Sequence, residues 1–156
     1  MRVVSLTLAC LLMALLLPST LVSADDAASV EYIGGTLDSV SHKVEGHIRT
    51  TNPDFLLFDA GKLRMNVPYE KINLLEYGQK VDRRYAMAFL ISPVFLLSKS
   101  RQHFLTVGYT DMQGKQQAMV LRVSKGDIRS VLVSLEARTG LKIQFQDGEA
   151  KKAGKG

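Results

Sequence analysis

The sequence predicts an α+β, mainly β fold: a small antiparallel barrel of about six or seven strands capped by one C-terminal amphipathic helix. Three observations predict it. Residues 31–123 are a succession of short apolar runs broken by turn residues. After Ser124 the apolar period changes from that of a strand to that of a helix, with Ile128, Val131, Leu132 and Leu135 at i, i+3, i+4 and i+7. Strands come first and the helix last, an order that argues against alternating βαβ units and a parallel sheet.

The first 24 residues precede this pattern. A single cation, Arg2, is followed by an apolar run ending near Pro18 and by the small residues Val22-Ser23-Ala24. That order predicts a secretory signal peptide at 1–24, cleaved between Ala24 and Asp25, and an exported protein, periplasmic or secreted. The mature chain is then 132 residues, the size of one domain. Such a chain buries roughly two-thirds of its unfolded surface and needs neither disulfide nor metal to fold. The chain's one cysteine, Cys10, lies in the apolar run, so the mature domain holds no thiol. Thr7-Leu8-Ala9 is a poor lipobox and much of the apolar run follows Cys10, which argues against a lipid anchor.

Residues 25–30 read as a polar leader and 31–37 as a first strand interrupted by Gly34 and Gly35. Residues 44–50 form the next strand, ended by the turn signal Thr51-Asn52-Pro53-Asp54. Phe55-Leu56-Leu57-Phe58 is a short apolar strand, closed by Asp59-Ala60-Gly61. Leu63, Met65 and Val67 alternate with Arg64 and Asn66, as in a half-buried strand. After Pro68 the pattern resumes over 69–77, with Ile72 and Leu74 assigned to one face. A hairpin follows, in which 103–110 and 116–123 flank the polar loop Asp111-Met112-Gln113-Gly114-Lys115.

The helix opens on a capping-box-like pair, Ser124 and Asp127, and stops at Gly140. Its apolar stripe is expected to cover the end of its own barrel. Leu141 to Phe145 is read as a last strand. The domain spans 31–147, and 148–156 is expected to be a disordered basic tail, too polar to join a core.

The apolar-Pro-Tyr-x-x-Ile element Val67-Pro68-Tyr69-Glu70-Lys71-Ile72, within a run of short strands ending in a hairpin and a helix, resembles pleckstrin-homology-like barrels of the GRAM and bacterial type. More narrowly, Tyr32-Ile33-Gly34-Gly35-Thr36, Leu75-Glu76-Tyr77-Gly78-Gln79-Lys80 and Leu135-Glu136-Ala137-Arg138-Thr139-Gly140 are similar to a group of secreted bacterial proteins. The resemblance covers roughly 31–147. It implies a PH-like fold and an exported bacterial setting, and brings no activity, since that superfamily binds lipids, peptides and proteins through different surfaces.

Charge and motifs exclude several classes. Twenty Lys and Arg stand against fifteen Asp and Glu, and loss of Arg2 leaves a net charge of +4. That is not the clustered excess of a nucleic-acid binder. His42 and His47 bracket Glu45, but in a strand the two histidines fall on opposite faces while Glu45 and His47 share one. With His103 far away in sequence, no metal site is predicted. No Gly-x-Ser-x-Gly elbow occurs, and no serine is paired by sequence with a histidine and an aspartate, so no catalytic residue is assigned. Gly148 and Gly154-Lys155 imitate a phosphate loop, but the spacing is one residue too long and no strand–loop–helix context surrounds them.

One stretch stands out. Residues 86–97 are apolar or proline except Ser92, and Lys80, Arg83, Arg84, Lys99 and Arg101 bracket them. Twelve residues are too few to cross a bilayer core of about 30 Å as a helix. They are expected to pack inside the domain. The alternative is a membrane-surface loop, with Arg83, Arg84, Lys99 and Arg101 meeting lipid phosphates. The functional expectation is an exported, non-enzymatic binding module without cofactor, metal or nucleic acid, whose partner is a protein or peptide of the cell envelope. Its rivals are that membrane-surface role and a small envelope hydrolase with no recognisable motif.

Overall fold

A computed structural model of the chain describes residues 27–37, 43–80 and 102–155. The chain runs β1 (Ala27–Gly35), β2 (Val44–Arg49), β3 (Phe55–Ala60), β4 (Leu63–Pro68), a 3₁₀ turn (Tyr69–Lys71), β5 (Ile72–Gly78), β6 (His103–Thr110), β7 (Gln116–Val123), α1 (Ile128–Thr139), β8 (Gln144–Phe145) and α2 (Gly148–Lys155). The fold is α+β and mainly β. Among the described residues no helix is long and apolar enough to cross a membrane. The expected signal peptide and the Ala24–Asp25 junction lie outside the described residues, as do His42, Arg83, Arg84, Lys99, Arg101 and the run 86–97.

Eight strands form one sheet in the order β4-β3-β2-β1-β7-β6-β5-β8. Every neighbouring pair is antiparallel except β5 with β8. The expected closed barrel of six or seven strands is therefore corrected to an open, eight-stranded sheet. The opening has a local cause. Pro68 and the 3₁₀ turn carry the chain from β4 to β5 without a hairpin, so among the described residues β4 pairs only with β3. Proline has no N–H to offer a ladder and is tolerated at such an edge. Across the inside, the Tyr109 hydroxyl reaches Met65 Sδ at 3.6 Å. Inward side chains of the strands, Tyr32, Phe58, Leu105 and Leu121 among them, share one apolar core with α1.

The helix stripe is buried as expected: Ile128, Val131, Leu132 and Leu135 all enter that core. Asp127 does not accept the Ser124 backbone N–H, which donates to Ser29 O at 3.1 Å. Its Oδ2 accepts the Ser124 hydroxyl at 2.7 Å and the Ser29 amide at 3.1 Å, tying the start of α1 to β1. At the other end Gly140 takes the left-handed conformation and its N–H donates to Glu136 O.

Three further expectations are corrected. The leader 25–30 is not wholly outside the sheet, because β1 begins at Ala27, opposite Arg49 of β2. Ile72 and Leu74 do not share a face: a bulge between them puts Ile72, Leu75 and Tyr77 in the core. The tail is not disordered, since Gly148–Lys155 is helical and the domain extends past 147. Asp147 caps α2 by accepting the Ala150 N–H at 2.7 Å. Ala150, Ala153 and Gly154 form a small stripe, with Ala150 fully buried. Gly154 sits so close that a Cβ there would lie 2.7 Å from Phe145 and 3.2 Å from Leu132. The same Phe145 belongs to the two-residue β8, all that the expected last strand becomes.

Candidate functional site

Two surface features concentrate chemistry among the described residues. The first is a polar cleft of about 530 Å³ on the outer side of β2, β1, β7 and β6. The register places Glu31 of β1 opposite both Glu45 of β2 and Arg122 of β7. Glu31 and Arg122 form an ion pair, the carboxylate side chain only 13% exposed, which offsets the like charge facing it across β1 and β2. His47 lies opposite Ser29 on the same side, exposed to water.

His103, half-buried at the start of β6, lines the cleft as well. The fully buried Tyr77 holds its Nδ1 at 2.5 Å, the two rings stacked at 15° with centroids 6.0 Å apart. Burial lowers the His103 pKa and the nearby Lys125 charge lowers it further. Burial raises that of Tyr77. Both directions favour neutral groups, the arrangement in which the tyrosine O–H donates to an unprotonated Nδ1. Ser124, also on the cleft, donates its hydroxyl to Asp127 and not to a histidine. Among the described residues no three His, Cys, Asp or Glu side chains gather as a metal site.

The second feature is an apolar groove of about 700 Å³ at the corner where β4 turns into β5. Leu37, Phe55, Met65, Val67, Tyr109 and Met112 line it, and Glu70, Lys71 and Asp111 stand at its rim. Two large apolar side chains face water here: Met112, 97% exposed, and Phe55, 36% exposed. Local hydrogen bonds hold each in place. Asp111 Oδ1 accepts the N–H groups of Gln113 and Lys115 at 2.9 and 2.8 Å, and its Oδ2 accepts Gln117 Nε2 at 2.7 Å. These bonds, the one from Gln117 foremost, hold the Asp111 carboxyl below its ordinary range. On the facing side Asn52 Oδ1 accepts the Asp54 and Phe55 N–H groups, both at 2.9 Å, and fixes the start of β3.

The groove borders the edge of β4, which is open among the described residues. Gly61, at φ +59, starts the two-residue loop between β3 and β4, the conformation a type II′ hairpin requires at its first central position. In such a hairpin the closing pair, Ala60 and Leu63, exchanges both its hydrogen bonds. Leu63, Met65 and Val67 therefore bond to β3, and the N–H and C=O groups of Arg64 and Asn66 face the free edge.

Of the basic residues singled out from the sequence, Arg83, Arg84, Lys99 and Arg101 lie outside the described residues, and Lys80, at the end of the 43–80 stretch, lines neither feature. Sequence reasoning placed the 111–115 loop and the 51–54 turn and missed the groove between them. The available signal was an apolar Met112 in an otherwise polar loop. Among known proteins, no family model and no curated protein matches the chain.

Proposed function

We propose that the chain is an exported, non-enzymatic binding module of PH-like architecture, and that the apolar groove receives an extended apolar segment of a cell-envelope protein. Seven antiparallel strands followed by a helix that seals the core support the PH-like assignment. Support for export is the order of Arg2, apolar run and Val22-Ser23-Ala24. The pairing of Glu31 with Arg122 and of His103 with Tyr77 supports a structural use of the polar cleft.

One observation carries the binding reading: the groove lies beside an edge of β4 that no described strand pairs with. A strand added there takes main-chain hydrogen bonds from Arg64 and Asn66 while alternate side chains enter the groove, the mode by which sheet edges capture peptides. The test uses a synthetic eight-residue peptide of alternating valine and threonine. Binding should slow hydrogen exchange at the Arg64 and Asn66 amides. Met112→Glu should weaken it by about tenfold, the scale of losing one anchor residue. Binding that leaves β4 exchange unchanged overturns this reading, and so does an affinity indifferent to Met112.

A further inference from the structure

Strand alternation sorts the central side chains into two sets. Leu105, Val107 and Tyr109 of β6, with Met119, Leu121 and Val123 of β7, belong to the core. Phe104, Thr106, Ala118 and Val120, one residue out of step, stand on the outer face. An outer face that meets water is polar in an ordinary antiparallel sheet. Here Phe104 is 3%, Thr106 4% and Val120 1% exposed, and Ile33, at the β1 bulge, is 0% exposed. These residues adjoin one another. Thr106 pairs with Val120, and Val120 pairs with Gly34, next to Ile33.

The described helices are engaged elsewhere. α1 packs on the 3₁₀ turn and on α2, and α2 packs on β5 and β8, with Gly154 against Leu132, Tyr77 and Phe145 on the core side. Gln146 covers only the β5 margin, at Gly78 and Glu76. Toward Arg122, opposite Phe104, this face opens into the polar cleft, but the stretch around Phe104, Val120 and Ile33 is closed to water and needs an apolar cover, because leaving it open costs roughly 25 cal/mol per Å².

We propose that this outer face of β1, β7 and β6 is the docking surface for residues 86–97 of the same chain. Chemistry matches, since only Ser92 interrupts the apolar run. Connectivity matches too. The chain outside the described residues leaves after Lys80, just past β5, and returns at Gln102, just before β6. The six steps from Lys80 to Ala86 reach about 20 Å when extended. The face itself, four residues long on β6, is about 13 Å. On this assignment the cations at 83, 84, 99 and 101 mark the ends of the run in water, and their charge serves solubility in place of lipid contact. The groove at β4 is a separate surface, so this inference stands or falls independently of the peptide reading.

Single-cysteine labelling tests it, because Cys10 is the chain's only cysteine. With Cys10→Ser in place, Val120→Cys and Phe104→Cys should react slowly with a maleimide. Replacing 86–97 by a glycine–serine stretch of equal length should raise both rates by about tenfold or more, as for opening a covered site. Should that replacement fail to fold, Val120→Cys is combined with Ala88→Cys, Leu90→Cys or Val94→Cys in turn. A short bifunctional maleimide should then join at least one pair within a single chain. Fast labelling of the parent chain overturns the proposal, as does slow labelling that survives the replacement. Protection that depends on protein concentration would assign the cover to a second copy. Protection lost when residues 1–24 are removed would assign it to the leader. Protection appearing only with anionic phosphatidylglycerol vesicles would assign it to a membrane. Each of these also overturns it, and so does the failure of every cross-link.

Discussion

Tyr77 and His103 meet at 2.5 Å between hydroxyl and Nδ1 although they belong to different strands, β5 and β6. One member is fully buried in the core and the other opens onto the polar cleft. The pair thus joins the packing of the domain to the protonation of its surface.

Stability should fall as the solution is acidified through this pair. The unfolded histidine takes its proton near the ordinary value of 6.5, and the folded one at lower pH because burial and Lys125 oppose the charge. Between those two values the unfolded chain binds more protons, so folding loses stability as pH drops. Urea unfolding from pH 7.5 to 5 should show the decline. The His103→Gln variant should show a smaller one, and equal slopes would disprove the link.

Tyr77→Phe removes the hydroxyl and leaves Nδ1 without its partner. The expected cost is about 1–3 kcal/mol, measured by urea unfolding at pH 7.5. An unchanged midpoint would mean that water replaces the hydroxyl at no cost.

Leu132→Ala probes the helix as a seal. Leu132 is 3% exposed and touches the site where α2 is held. Truncating a buried leucine typically costs about 2–5 kcal/mol. A loss below about 1 kcal/mol would show that the stripe contributes little to the core.

The terminal helix yields a paired comparison of glycines. Gly154→Ala forces a methyl to within 2.7 Å of Phe145 and should cost about 1–3 kcal/mol as overpacking. Gly148→Ala meets nothing within 4 Å and should be neutral or slightly stabilising. Denaturant midpoints for both variants decide it, and equal effects would refute close packing of α2.

Met112→Glu should leave stability within about 0.5 kcal/mol of the parent, as for an exposed site without structural contacts. Loss of peptide binding without loss of stability would separate the groove's function from the fold. A large destabilisation would mean instead that Met112 supports the hairpin.

Local pattern carried much of the fold. The alternation of Leu63, Met65 and Val67, the hairpin around 111–115, the stripe from Ile128 to Leu135 and the stop at Gly140 were all legible, because each depends on residues a few positions apart. The bulge that separates Ile72 from Leu74 was not, since it arises from pairing with β6. Nor was α2, whose polar composition conceals three small residues that matter only once Phe145, Leu132 and Tyr77 lie beneath them.

The sequence by itself determined the class of structure, since side-chain period and turn chemistry act within a few residues and need no partner. Tertiary structure decided whether the sheet closes, because an edge is defined by the strand that does not pair with it. It also decided where a ligand could enter. Phe55 and Met112 stand 57 positions apart in the sequence, and only the path of β4 through Pro68 into β5 brings them to one groove. No period or spacing encodes that distance; the folded backbone does.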